Sequence, residues 1–243
     1  MPTFEHRLQQ FDPGVIWLDR DHHVSGMNGV ASQILGVRIG DVLGHEVLQL
    51  HPEKSRDKIA WLLQSAEDTD GCPVTSPPPM TMMINIPDRV LLIKLSRIFG
   101  ANNEAVGSCL VFFDLTDVTS DEIPGHGAER RRRLFKLPVY KHQRVMLLDM
   151  DDLVYLKAGG HYTEVSMDGE HYLCNLSLAD LQGRLDDQQF VRVHRSYMVN
   201  LRRAAALERE QEQYLLVMDD PGQTRVPVSR SNINHVKGLF GLA

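Results

Sequence analysis

Residues 190–200 read Phe190-Val-Arg-Val-His-Arg-Ser-Tyr-Met-Val-Asn200, and they constrain the fold more than any other stretch of this chain. Phe190, Val191 and Val193 on one side, and Met198 and Val199 on the other, have the apolar, β-branched character of strands. Between them stand His194, Arg195 and Ser196, a cluster of donors with cationic character. A single half-buried strand would carry its alternation through this point. Two apolar anchors around a cationic centre instead describe a loop held out rigidly toward an anionic partner.

The 243 residues leave room for two domains, each burying its own core. An apolar content of 42% and a charged content of 24% place the chain among globular proteins. No apolar run approaches the ~20 residues that span a bilayer. The start, Met1-Pro-Thr-Phe-Glu-His6, lacks the basic-then-apolar pattern of a secretory signal. Three cysteines, Cys72, Cys109 and Cys174, are too few and too far apart for a disulfide framework. A cytoplasmic protein without membrane association is therefore expected. The net charge of −6 is unevenly spread: residues 1–128 carry −8 and residues 129–243 carry +2. The C-terminal half is the one suited to a polyanion, provided its cations share one face.

Along the chain, the first half reads as mixed α and β. Residues 15–18 and 24–27 read as short strands around the turn at 19–23. Asn28 is placed to cap a helix over 30–35 that Gly36 stops. A helix is expected over 55–65, with Ile59, Leu62 and Leu63 on one side. Residues 89–99 and 108–115 form an apolar hairpin about Gly100-Ala-Asn-Asn103. Residues 119–128 hold a proline, two glycines and acidic residues without periodicity, and Arg130 to Arg133 follow as a charge run. This stretch reads as a linker, its arginines either a solvated helix start or an added phosphate contact. The second half is dominated by strands, at 135–140, 145–148, 153–156, 162–167, 171–176, 214–218 and 224–228. Asp168-Gly169 and Asp219-Asp-Pro-Gly222 are hairpin turns. Leu176, Leu178, Leu181 and Leu185 trace one face of a helix, and Ser231 is expected to cap a closing helix through Leu239.

Segment 190–200 resembles the signature of LytTR DNA-binding domains, and Val226-Pro-Val-Ser-Arg230 resembles that family's second marker, so the resemblance covers residues 134–242. It implies base-facing roles for His161, after Ala158-Gly-Gly160, and for Arg195 and Arg230. An arginine fork on guanine O6 and N7 is worth roughly 1–3 kcal/mol of discrimination. Ser196, Ser229 and Lys237 suit phosphate contacts, which position without reading sequence. His194, flanked by valines, reads as a structural hydrogen-bonder. In the first half, Trp17-Leu-Asp19, residues 28–36 and Phe113-Asp-Leu-Thr-Asp117 resemble a PAS sensor domain. The expected class is thus α+β: a PAS sensor domain over 1–118 (antiparallel sheet with flanking helices), a linker with the arginine run over 119–133, and a mostly β LytTR domain over 134–243.

Three further segments, at 50–58, 71–79 and 82–89, resemble the carbon-monoxide-responsive haem regulators of the RcoM type, themselves PAS–LytTR fusions. That resemblance spans nearly the whole chain. It implies haem b held by His51, with Cys72 and Met82 as alternative ligands opposite. A thiolate favours ferric iron and a neutral thioether ferrous iron. Cys72, between Gly71 and Pro73, reads as a loop residue free to exchange. From the residues alone, His51 also reads as a surface or capping residue, the methionines as core filling, and Cys109 and Cys174 as small buried hydrophobes. Met80 and Met83 stay open beside Met82, since neighbours in a strand face opposite ways. No nucleophile elbow, phosphate loop or zinc-spaced cysteine pair is present, so no enzyme is expected. Promoter DNA, carbon monoxide and a second copy joined through the PAS half are the expected partners. Oxygen, NO or redox sensing, or a PAS half that only dimerises, are the competing inputs.

Overall fold

Gly14 opens the first sheet because nothing larger fits: a Cβ there would lie 2.4 Å from the Phe112 ring. The computed structural model describes residues 12–51, 53–67, 80–85, 88–122, 132–141, 144–160 and 162–241. The chain divides into two units, Met1–Asp117 and Val118–Ala243. In the first unit, strands β1 (Gly14–Leu18), β2 (Val24–Met27), β3 (Met80–Asn85), β4 (Asp88–Phe99) and β5 (Ala105–Asp114) form one sheet in the order β2-β1-β5-β4-β3. All pairs are antiparallel. Strand alternation sends Ile16, Leu18, Leu91, Ile93, Leu95, Leu110 and Phe112 to one face. That face packs with Ala31 of α1 (Gly29–Leu35), Val42 of α2 (Ile39–Val42), Val47, and Ile59, Leu62 and Leu63 of α3 (Glu53–Glu67).

Local chemistry explains the joins. The Asn28 side chain accepts from Ala31 N at 2.8 Å, capping α1, and from Val15 N at 2.9 Å, while its amide donates to Pro13 O. Gly36 adopts φ 65°, the left-handed conformation that ends the helix. The expected hairpin closes as β4 and β5, and α3 runs two residues beyond the expected helix at each end.

The second unit begins inside a short helix, α4 (Thr116–Thr119), and holds three sheets. Strands β6 (Ser120–Glu122) and β7 (Arg132–Leu134) pair with each other. A seven-stranded sheet comprises β8 (Lys136–Lys141), β9 (Arg144–Asp149), β10 (Tyr155–Ala158), β11 (Thr163–Met167), β12 (Glu170–Cys174), β13 (Phe190–His194) and β14 (Tyr197–Asn200), in the order β13-β14-β10-β11-β12-β8-β9. β15 (Ala204–Glu210), β16 (Gln213–Met218) and β17 (Arg225–Val228) form the third. Helices α5 (Leu178–Gln182) and α6 (Ile233–Leu239) complete it. Val154, Val191, Val193, Val199, Leu216, Met218, Val226 and Val236 share one core, so β13, β14, the third sheet and α6 pack as a single body. Asp168 and Gly169 both take positive φ (47° and 82°), as a tight hairpin between β11 and β12 requires.

Three local readings need correction. The stretch read as linker contains paired strands: Ser120 and Leu134 are buried, Phe135 N donates to Thr119 O, and Leu134 N donates to Arg184 O. The arginine run takes part in this, with Arg132 on Glu122 at 3.4 Å and Arg133 against Asp186; Arg130 and Arg131 lie outside the described residues. The leucine-faced helix is confined to Leu178–Gln182 by the Ser177–Asp180 capping box and Gly183, with Leu176 and Leu185 buried on either side of it. Finally, Asn232 rather than Ser231 occupies the N-cap of α6, and its side chain makes no cap bond: its amide donates to Arg192 O at 2.8 Å and its oxygen accepts from the Ser231 hydroxyl at 3.4 Å.

Asn200, fully buried, joins the sheet to the following turn by donating to Leu153 O at 2.8 Å and accepting from Arg202 N at 3.1 Å. Asn200→Ala leaves Leu153 O unpaired. It is expected to cost about 1–3 kcal/mol, read in urea unfolding followed in the C-terminal half. An unchanged midpoint would show that these bonds contribute nothing net.

Candidate functional site

His51 ends a turn that follows buried Val47: Leu50 N donates to Val47 O and His51 N donates to Leu48 O. The turn brings His51 Nδ1 within 2.8 Å of Val47 O. A carbonyl only accepts, so Nδ1 carries the proton and Nε2 keeps its lone pair. Burial pushes the imidazole below its ordinary pKa, which favours the neutral ring. The Arg56 side chain, from the first turns of α3, donates to His51 O at 3.1 Å and fixes the backbone. A neutral ring oriented through Nδ1 on a backbone carbonyl is the arrangement of a metal-binding histidine. The donor chemistry therefore fits a ligand to haem iron.

The other expected ligands are less defined. Cys72 lies outside the described residues. Met82 lies on β3, opposite Leu91 of β4, with Met80 opposite Ile93 and Met83 opposite Val90. Cys109 is half-buried, its thiol pushed up by burial, and Cys174 is fully buried.

The cationic centre of segment 190–200 is the turn of a hairpin: Arg195 and Ser196 link β13 to β14, with Arg195 exposed. Four bonds hold this turn. Ser196 N donates to His194 Nδ1 at 3.2 Å, Ala158 N donates to Ser196 O at 2.9 Å, and the Arg192 guanidinium donates to His194 O at 2.9 Å and to Arg195 O. The second marker stands beside the first, since Ser229 N donates to Val193 O at 2.8 Å. Arg195, Ser196, Ser229 and Arg230 therefore share one end of the unit. Arg230 is 93% exposed and, among the described residues, forms an ion pair only with Glu212, at 3.8 Å. An ion pair that open to water is weak, so Arg230 can leave it for another anion. Lys237 projects from α6 with its ammonium 4.7 Å from the Tyr214 ring centroid. His161 lies outside the described residues, while its loop is closed by Gly159 N donating to Tyr162 O, next to Ala158.

Sequence reasoning missed Arg192 and Asn232. Arg192 braces two carbonyls of the exposed turn, and Asn232 ties α6 to β13 through Arg192 O. Arg192 falls at a polar position of the strand alternation and so reads as an ordinary surface cation. Only the turn's geometry assigns it a partner.

Among the described residues no helix is long and apolar enough to cross a membrane. Residues 143–241 match the LytTr DNA-binding domain, and residues 3–114 match the PAS fold. A LytTr DNA-binding domain from Bacillus cereus is 26% identical, with a TM-score of 0.40 over 44% of this chain and 96% of that one. The "Heme-containing CO-sensing transcriptional regulator RcoM 2" of Paraburkholderia xenovorans is 51% identical over 99% of this chain and 93% of that protein. The "CO-responsive transcriptional regulator RcoM" of Rhodospirillum rubrum is 32% identical over the full length of both. A PAS half followed by a LytTR half, shared end to end with such relatives, makes this chain a member of the RcoM family of transcriptional regulators and not an enzyme.

Proposed function

We propose that this protein is a cytoplasmic regulator that senses carbon monoxide through haem b in its PAS half and binds promoter DNA through its LytTR half, activating genes for carbon-monoxide use. It acts as a homodimer joined through the PAS half. The observation that carries the sensor reading is the His51 ring, neutral and oriented by Val47 O with Nε2 left to ligate. The relatives named as heme-containing and CO-sensing support the same reading.

Haem would supply an iron that binds carbon monoxide when ferrous. His51 would hold it in both oxidation states, burial favouring its neutral imidazole. Cys72, as an anionic thiolate, serves the ferric state. Met82, a neutral and weak donor, would serve the ferrous state, as the ligand with which the gas competes.

Absorption spectra of the purified protein in the ferric, ferrous and ferrous-plus-carbon-monoxide states test this directly. An intense Soret band that shifts between all three is expected; a protein without one has a PAS half that only dimerises. Met82→Leu removes the sulfur and conserves apolar volume, so the fold is retained. Its ferrous spectrum is expected to change and its carbon-monoxide on-rate to rise, with the ferric spectrum unaltered. If both ferrous properties match the parent, the ligand is not Met82, and Met80→Leu and Met83→Leu identify which neighbour takes the role.

A further inference from the structure

We propose that Arg209 and Tyr214, together with Lys237, form a phosphate-binding station that grips the sugar–phosphate backbone beside the bases read by Arg230. This deepens the DNA-binding reading and rests on it.

The register places the parts. Arg209 on β15 lies directly opposite Tyr214 on β16, and Tyr214 lies opposite Val228 on β17. Ser229 and Arg230 follow Val228 in the chain, so this row of the sheet leads straight to the DNA-facing turn. The Arg209 guanidinium carbon is 5.6 Å from the Tyr214 ring centroid, and the Lys237 ammonium reaches the same ring from α6 at 4.7 Å. Two cations from separate elements thus converge on one phenol. Neighbouring cations have a carboxylate within range: Arg225 has Glu208 at 3.4 Å, and Arg230 has the open contact with Glu212 at 3.8 Å. Among the described residues, Arg209 and Lys237 have no carboxylate in ion-pair range. Both cations hold the Tyr214 hydroxyl below the usual phenol range, consistent with a local excess of positive charge.

The site is asymmetric. Tyr214, His194, Ser229 and Arg230 line a surface groove of about 700 Å³, which Glu210 and Glu212 also line. Those carboxylates repel an anion inside the groove. Arg209 and Lys237 are not part of its lining and stand at the Tyr214 rim, and strand alternation turns Arg209 away from Glu210. A phosphate is therefore held at the rim while Arg230 reaches the bases, a division of positioning from reading.

The test uses the full-length protein, a fluorescent random-sequence duplex and a duplex selected for tight binding, each titrated across salt. Neutralising one phosphate contributes about 0.9 to the slope of log K against log salt. Arg209→Gln and Lys237→Gln are each expected to lower the slope by about that amount. This corresponds to roughly eightfold weaker binding at 0.1 M salt when referred to 1 M, equally for both duplexes. Arg209→Lys keeps the charge and is expected to retain the slope, which separates charge from folding. If the parent binds with a steep slope and both glutamine variants match it, the station does not exist. If the parent binds neither duplex, the DNA-binding reading falls with it.

Discussion

Replacing His51 with alanine is expected to strip most haem from the purified protein while the C-terminal half stays folded. The tautomer, orientation and charge state of the His51 ring are all set for ligation: Nδ1 on Val47 O, burial favouring the neutral form, and the backbone pinned by Arg56. Losing an outer partner of a metal ligand typically costs 10–100-fold in affinity, roughly, so losing the ligand itself costs more. The lesion remains local because the first unit's core is built from its own sheet and helices. The Soret-to-protein absorbance ratio should collapse, and DNA-half unfolding should remain cooperative at its parental midpoint. A variant that purifies with full, normally ligated haem would remove His51 from the site.

The second large effect is on DNA. Arg195→Ala and Arg230→Ala are each expected to weaken specific binding by about 1–3 kcal/mol, roughly 5- to 150-fold, and to relax preference at particular base pairs. Arg195 stands on a turn whose backbone carbonyls are braced by Arg192, so the turn itself is already ordered before DNA is met. Arg230 gives up only an open contact with Glu212. The arginine run behaves differently. Substituting Arg130 or Arg131 should weaken all sequences alike, or do nothing, and mainly lower the salt slope. Competition assays with selected and random duplexes separate the two patterns. Equal proportional losses on both duplexes for the Arg195 and Arg230 variants would mean that these residues touch only phosphate.

What the sequence disclosed follows from how local each signal is. Asn28 and Gly36 mark the ends of α1 because capping and the left-handed stop act within a few residues. Asp168-Gly169 announces its hairpin for the same reason. Segment 190–200 and residues 226–230 were legible as separate markers, yet their contact is not local: it rests on Ser229 N reaching Val193 O across the fold. The tautomer of His51 was likewise hidden, since it depends on where the turn after Val47 places a carbonyl. The β6–β7 pair was hidden most completely. Its strands are short, its partners are separated by a stretch rich in glycine and charge, and only burial of Ser120 and Leu134 reveals it.

That pair bears on how such proteins are assembled over evolutionary time. If sensors and DNA readers are exchanged between genes, a crossover just after Leu134 would deliver a reader stripped of β6 and β7, with Arg184 O and Asp186 deprived of Leu134 N and Arg133. A crossover between Asp117 and Val118 would carry both strands with the reader. Inheritable swaps, natural or engineered, are therefore expected to cluster at the upstream seam, and chimaeras joined there should outlast those joined at the downstream one.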